Sequence, residues 1–401
     1  MEKLKNKNSF CIRPFNSIHL TTDGSMKICC DIVSEKTQYL GKNNFNLKTN
    51  SIEEFWTSDY RKYLQKQFLE KDKPSECQKC WHKEDKGNKS LREFSNHQYK
   101  ILGNKNPEDY LKILGLSDLA HPEDYNIDIT NLCNLKCYMC TGKSSSKLLV
   151  ENNDLGLENL DQKDYDYDDG RLLYLIEQIE KNNVSHLTLQ GGEPLMNPKI
   201  ISLLQKLSVK ETAKKLTVWI TTNGTMYDQK IFETLASFKT VKIIFSIDGV
   251  GKVNDYMRFP SNFSEIKSNV YNYLKLENAT FMITNVVQNF NVLYVKEIID
   301  FANSCKIHCH LHVLVEPSYL HFSVLPISAR QKALERIQKI DKEKRMHVDN
   351  FDSLLENLQA DIDTNTTDKL KIFKDIVKKR DEYRKINLVD YIPELAKELN
   401  I

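Results

Sequence analysis

The sequence predicts an α/β protein: an open, partial (β/α)6 barrel with a cysteine-rich module before it and a helical extension after it. Three observations carry this reading. From Tyr125 onward, short β-rich runs beginning near Ile127, Leu187, Leu216, Val241, Phe281 and Leu311 alternate with amphipathic stretches, the pattern of parallel βα units. Five of the ten cysteines lie before residue 81, at Cys11, Cys29, Cys30, Cys77 and Cys80. After Pro326 the chain is charge-rich, helix-forming and free of glycine. The boundaries expected are 1–115, 120–325 and 326–401. Six strands are too few for a closed eight-fold barrel and suit an open one, with its chemistry at the C-terminal strand ends.

Composition bounds the function. With 401 residues, 40% hydrophobic and 28% charged, the chain can bury a sizeable core, and gross disorder is excluded. A formal charge of +2 supplies no general attraction to nucleic acid or to a membrane surface. No run approaches the length of a membrane span, and Met1–Lys7 lacks an apolar signal core. The expectation is a cytoplasmic protein. In a reducing compartment ten clustered cysteines read as metal ligands, not as a disulfide framework.

The elements follow in order. The first ten residues are basic and polar, an arm expected to fray. Asp23-Gly24 lies between two short runs, Ser17–Leu20 and Met26–Cys29, a hairpin signal that brings Cys11 and Cys29-Cys30 to one end. Ser51 and Glu54 form a capping box, and apolar residues from Ile52 to Phe68 recur at helical spacing, predicting one helix that stops near Pro74. Cys77-Gln-Lys-Cys80 follows at once, and residues 84–124 read as a polar connector. In the barrel, helices are expected over Leu172–Glu180, Lys199–Leu207, Ile231–Phe238, Ile266–Leu274 and Tyr294–Ala302. Residues 144–170 read as an inserted polar loop whose carboxylates, Asp164 to Asp169, are a solvated run.

The chemistry is concentrated in Asn131–Cys140, where Cys133, Cys137 and Cys140 make a C-x3-C-x2-C loop. Three thiolates on one loop can hold an iron–sulfur cluster, and three ligands for four irons leave one iron open. A zinc loop is the alternative, although zinc usually takes C-x2-C pairs and a fourth protein ligand, and none lies nearby in sequence. Further motifs stand at successive strand ends: Gln190-Gly191-Gly192-Glu193-Pro194, Thr222-Asn223-Gly224, Ser246-Ile247-Asp248-Gly249, then Thr284-Asn285 with Asn291. In this order they resemble the radical S-adenosylmethionine (radical SAM) superfamily, over roughly residues 122–325. The resemblance implies a [4Fe–4S] cluster on Cys133, Cys137 and Cys140, its open iron chelated by S-adenosylmethionine (SAM). It implies that Gly191 and Gly192 admit the methionyl end without a Cβ in the way. Glu193 meets its ammonium or braces the turn, which Pro194 rigidifies. Asn223, Ser246, Asp248 and Asn285 become further polar SAM contacts, and Val313, Leu314 and Val315 flank adenine. Met139 stands where the family usually has an aromatic residue, and its thioether can pack on adenine.

The N-terminal cysteines, with Asp23-Gly24, Ser90-Leu-Arg92 and Asn96, resemble the auxiliary-cluster modules called SPASM and twitch, here placed before the core. The tail Arg380-Asp-Glu-Tyr-Arg384 through Leu395 resembles the twitch-type proteins as well. This implies a second [4Fe–4S] cluster on Cys11, Cys29, Cys77 and Cys80, with Cys30 the alternative to Cys29. A structural zinc on the same thiols remains open from spacing alone. The expected activity is reductive cleavage of SAM to a 5′-deoxyadenosyl radical that takes hydrogen from a substrate. The class would be an oxidoreductase or a modifying enzyme, the second cluster serving as electron relay or acceptor. The substrate expected is a small molecule such as a sugar or cyclitol, or a ribosomal peptide; the reductant is a flavodoxin or ferredoxin; no membrane or nucleic-acid partner is indicated. The alternative is a non-catalytic metal-binding or electron-transfer protein that keeps the fold. His308, His310 and His312 alternate on one strand face and read as substrate-facing before metal-binding. Arg258 is a possible substrate contact.

Overall fold

A computed structural model describes residues 9–33, 45–85, 87, 89–101, 106–117, 119–160, 167–361 and 367–401. Its strands are β1 (Ser17–Leu20), β2 (Met26–Lys27), β3 (Asp124–Asp128), β4 (His186–Gln190), β5 (Thr217–Thr222), β6 (Thr240–Ser246), β7 (Ala279–Val287), β8 (His308–Val313) and β9 (Val348–Asp349). Among the described residues they form one nine-stranded sheet in the order β2-β1-β3-β4-β5-β6-β7-β8-β9. The six runs expected from sequence are β3 to β8, all parallel to their neighbours. β2 and β9 are the edges, so the sheet does not close on itself.

The alternation of side chains explains the two faces. Val218, Ile220, Val241, Ile243 and Phe245 are fully buried under the helices, each contributing about 1.5–3 kcal/mol by leaving water. Their neighbours Thr217, Trp219, Thr221, Lys242, Ile244 and Ser246 are only half buried and line the inner face, because successive residues of a strand point to opposite sides. The covering helices, Asp169–Lys181, Pro198–Ser208, Gln229–Ala236, Phe263–Tyr273 and Val295–Cys305, lie where the periodicity puts them.

The N-terminal segment, expected as a module over 1–115, shares the barrel sheet. β1 pairs in parallel with β3, Ile18 against Tyr125 and Leu20 against Ile127, so the hairpin extends the barrel sheet. The turn follows the Asp-Gly signal: Gly24 has φ +86°, and Asp23 Oδ1 accepts from Thr21 Oγ1 and from the Ser25 N–H. Residues 84–124 are more than a connector. The helix Leu91–Gln98 opens on a Ser90–Glu93 capping box and places Phe94 edge-on to Trp219 of the inner face, 6.3 Å away. The single helix expected after Ser51 is two, Ile52–Trp56 and Asp59–Leu69. Ser58 restarts it, its side chain capping the Arg61 N–H. Residues 144–170 contain a helix, Ser146–Asp154; within the predicted acidic run, 164–166 lie outside the described residues, and Asp168 caps the next helix. β9 carried too short a signal to be read. Beyond Pro326 the described chain is mainly helical, as expected.

Candidate functional site

The cysteine loop leaves the C-terminal end of β3 and is fixed by its backbone. The N–H groups of Lys136 and Tyr138 donate to the carbonyls of Phe259 and Met257. The Tyr138 ring packs among Phe290 and Tyr256, centroids 4.5 and 5.3 Å away, and its hydroxyl donates to Tyr256, whose own hydroxyl donates to Asp381. With Tyr138 turned into the core, Cys133, Cys137, Met139 and Cys140 cluster with Leu135. Burial raises the thiols of Cys133 and Cys140 to about 11 and about 12, with repulsion between the sulfurs adding to it. Thiolate at this site needs the positive charge of a metal centre.

The Gly-Gly turn after β4 serves the loop directly. A Cβ on Gly192 would lie 2.3 Å from the Leu132 carbonyl oxygen, and one on Gly191 2.9 Å from Asp128 Cβ. Both have positive φ, so glycine is required twice over. The turn packs directly against the cysteine loop, and the Glu193 N–H donates to Leu132 O. Glu193 is the brace, not a free carboxylate: it accepts from the N–H groups of Leu195 and Asn223 and from Thr222 Oγ1. Its burial raises it to about 7 despite these donors. Pro194 is buried at the start of the next turn.

Asn223 keeps a place beside the thiols, its Nδ2 2.9 Å from Asn134 Oδ1 and 4.0 Å from Cys133 Sγ. Ser246 ends β6 on the half-buried inner face. Two expected contacts are corrected. Asn285 is buried with Ile283 and Val287 on the helix-facing side of β7, and its Nδ2 donates to Ile247 O. Asp248 is fully buried; Oδ1 accepts from the Val286 N–H and Oδ2 pairs with Arg258 Nε at 2.7 Å. Asn291 ties the Asp248 and Val286 carbonyls together. Leu314 is core, and Val313 and Val315 line a cavity beside β8.

Three features escaped the sequence reading. Arg258 is 8% exposed, and its Nη1 lies 3.8 Å from Cys137 Sγ, so Asp248 aims a guanidinium at the loop. Glu151, fully buried, is held by Arg380, Arg384 and Lys136. Arg384 Nη2 also donates to Lys136 O within the loop, at 2.7 Å. The signal available was Arg380 and Arg384 four apart on one helix, which puts both on one face.

The second set of thiols comes from three segments. Cys11, Cys29, Cys77 and Cys80 line one small cavity with Arg13, Asp31 and Arg92; Cys30 is exposed and outside that lining. The Phe10–Arg13 backbone is held by the Leu91–Gln98 helix: Arg92 and Asn96 donate to Phe10 O, and the Ile12 N–H donates to Asn96 Oδ1. Among the described residues no three Cys, His, Asp or Glu side chains close on a point as a single metal ion needs. The four thiols stand around one cavity. Likewise His308 and His310 pair with Asp349, not with a metal site.

An open parallel barrel with three thiols at its rim and four more beside its first strand defines a protein built for two iron–sulfur centres. The family model described as the Radical SAM superfamily matches residues 127–302, and that of the SPASM iron–sulfur cluster-binding domain matches 11–81. Residues 127–302 thus match the radical SAM superfamily, with a SPASM-type domain ahead of that core. The cofactors are SAM and two [4Fe–4S] clusters. An uncharacterised protein of Methanocaldococcus jannaschii is 28% identical over 59% of this chain and 82% of its own length. The GTP 3′,8-cyclase of Syntrophomonas wolfei is 27% identical over 44% of the chain and 49% of its own. The sporulation killing factor maturation protein of Bacillus subtilis is 22% identical over 47% and 42%. The chain thus spans about half the length of these last two relatives.

Proposed function

We propose that the chain is a radical SAM enzyme that takes a hydrogen atom from a substrate, using Cys133, Cys137 and Cys140 for the SAM-binding cluster and Cys11, Cys29, Cys77 and Cys80 for an auxiliary one. When bound, the first cluster and SAM supply reductive cleavage to a 5′-deoxyadenosyl radical. The residues of the chain position and insulate. Glu193 and the glycine pair hold the loop backbone, Arg258 places positive charge at Cys137, and Ser246 and Asn223 offer polar groups on the same rim. Arg13 and Arg92 bring positive charge to the auxiliary thiols. The observation that carries the reading is the presence of two distinct thiol sets, one of three on the loop after β3 and one of four around a cavity.

The relatives act on unlike substrates by their names, a nucleotide in one and a killing factor in the other, so they do not choose a substrate class. The reductant is a flavodoxin or ferredoxin, and the compartment is the cytoplasm; no described helix is long and apolar enough to cross a membrane. The test is anaerobic reconstitution of the full chain with iron and sulfide, reduction in the presence of SAM, and mass spectrometry for 5′-deoxyadenosine. Its formation supports the reading; no deoxyadenosine from a chain loaded with iron, under any reductant, overturns it.

A further inference from the structure

The segment after β6 is spliced to the cysteine loop so that Arg258 stands opposite Cys137. Lys136 and Tyr138, on either side of Cys137, donate their N–H groups to the carbonyls of Phe259 and Met257, on either side of Arg258. Two backbone bonds thus set one side chain against the other. Arg258 Nη1 comes to 3.8 Å from Cys137 Sγ, as a donor to the sulfur. Both residues are buried, at 8% and 7% exposed, so water does little to screen the charge.

The guanidinium is held in that aim. Asp248, fully buried, pairs with Arg258 Nε at 2.7 Å. The Asp248 side chain is fixed in turn by the Val286 N–H at Oδ1, and its own N–H donates to Asn254 Oδ1. The other two sulfurs are served differently. Cys133 Sγ accepts from the Leu135 N–H and lies 4.0 Å from the Asn223 amide, both uncharged donors. The Cys140 thiol is directed at the Thr141 carbonyl. Arg384, the other guanidinium at this loop, is engaged by Glu151 and by Lys136 O. One sulfur of the three therefore faces a fixed cation, and a guanidinium keeps its charge at any working pH.

Reducing an iron–sulfur cluster adds one negative charge, and its potential follows net charge, hydrogen bonds to the sulfurs and exposure. A buried cation beside a ligand sulfur stabilises the reduced form more than the oxidised one. We infer that Arg258, aimed by Asp248, acts through Cys137 Sγ to raise the reduction potential of the cluster on the rim loop. The inference rests on the proposed function, which supplies that cluster, and it assigns Arg258 to a ligand sulfur instead of to a substrate. Asp248 offsets part of the charge and keeps the N–H on the sulfur.

The experiment is a redox titration of the anaerobically reconstituted full chain, without SAM, followed by electron paramagnetic resonance. The rim signal is the one missing when Cys133, Cys137 and Cys140 are all replaced by Ala. In Arg258→Gln the reduced-to-oxidised ratio of the rim centre at a fixed potential should fall at least tenfold, a downward shift of about 59 mV for one electron. Arg258→Lys keeps a charge and should recover part of that loss. The auxiliary signal should stay in place, which separates an effect at Cys137 from a general loosening of the fold. Circular dichroism and iron analysis check that both variants fold and load. A rim potential unchanged in the loaded variants, rim and auxiliary potentials that fall together, or loss of rim iron from both variants overturns the inference and leaves the proposed enzyme. A wild-type chain that shows no rim signal removes the proposed function itself.

Discussion

At the rim of the barrel, three thiols lie within eight residues, fixed by local bonds such as Ser145 Oγ to Leu135 O and by residues from far along the chain. Beside β1, four thiols come from three separate segments, and what fixes them is close at hand. Cys11 hangs from Arg92 and Asn96 through the Phe10–Arg13 backbone. Arg92 is oriented by Glu84 at 2.8 Å, and the Val33 N–H donates to Glu76 O beside Cys77. The rim loop depends on the glycine pair of β4, on Glu193 and on Arg384, 248 residues after Lys136. A short ligand motif concentrates the donors and leaves their aim to distant residues. The dispersed ligand set borrows aim as well, from the Leu91–Gln98 helix that follows its last segment.

The largest test of this contrast is to remove each set. Replacing Cys133, Cys137 and Cys140 by Ala together should abolish deoxyadenosine formation and lower bound iron from about 8 to about 4 per chain. Replacing Cys77 and Cys80 should cause a similar loss of iron while leaving SAM cleavage in place. Iron analysis and product mass spectrometry on the same samples separate the two, and joint loss from either change would show that the centres do not fold independently.

Next come the braces. Arg384→Ala leaves the buried Glu151 short of its closest guanidinium and should destabilise the chain by about 3–5 kcal/mol in urea unfolding. The carboxylate also sets a pH dependence. Burial pushes Glu151 up, but hydrogen bonds and charge from Arg384, with Arg380 and Lys136, outweigh it and hold it below its usual 4.5. Its contribution is therefore present above that value and lost as pH falls through the lowered one. Glu193 has the opposite sign: raised to about 7, it favours the folded state at low pH and loses that advantage as pH rises from about 4.5 to 7. Unfolding midpoints against pH for Glu151→Gln and Glu193→Gln should flatten these two windows separately. Glu193→Gln also sets an amide against donors the carboxylate accepts, costing about 1–3 kcal/mol. The smallest effect is expected for Cys30→Ala, which should leave iron at both centres unchanged because Cys30 stands outside the cavity lining.

The same contrast explains what could be read without coordinates. β3 to β8 were legible because one buried face imposes period two, and the Cys133 loop because its ligands are contiguous. The preference for Cys29 over Cys30 rested on the resemblance to the SPASM pattern, because the hairpin signal carries both cysteines to one end. The direction of Asn285 was not, since an asparagine beside a rim motif reads as polar and exposed until the strand register turns it toward the helices. Arg258 was legible as a possible substrate contact but not as a buried partner of Asp248, because that pairing forms only in the tertiary fold. For Gly192 the sequence suggests that a Cβ is disfavoured, but not that the Leu132 carbonyl lies 2.3 Å from where it would stand.

Arg384 seats its guanidinium on a loop carbonyl made 248 residues before it. During synthesis, therefore, the cysteines at 133–140 emerge long before the residues that complete their outer wall. Chains fold largely in the order they are made, so the rim pocket stays open to solvent until the last helices dock. A chain stopped before Arg380 would carry all three rim cysteines and lack the guanidinium that rests on their loop.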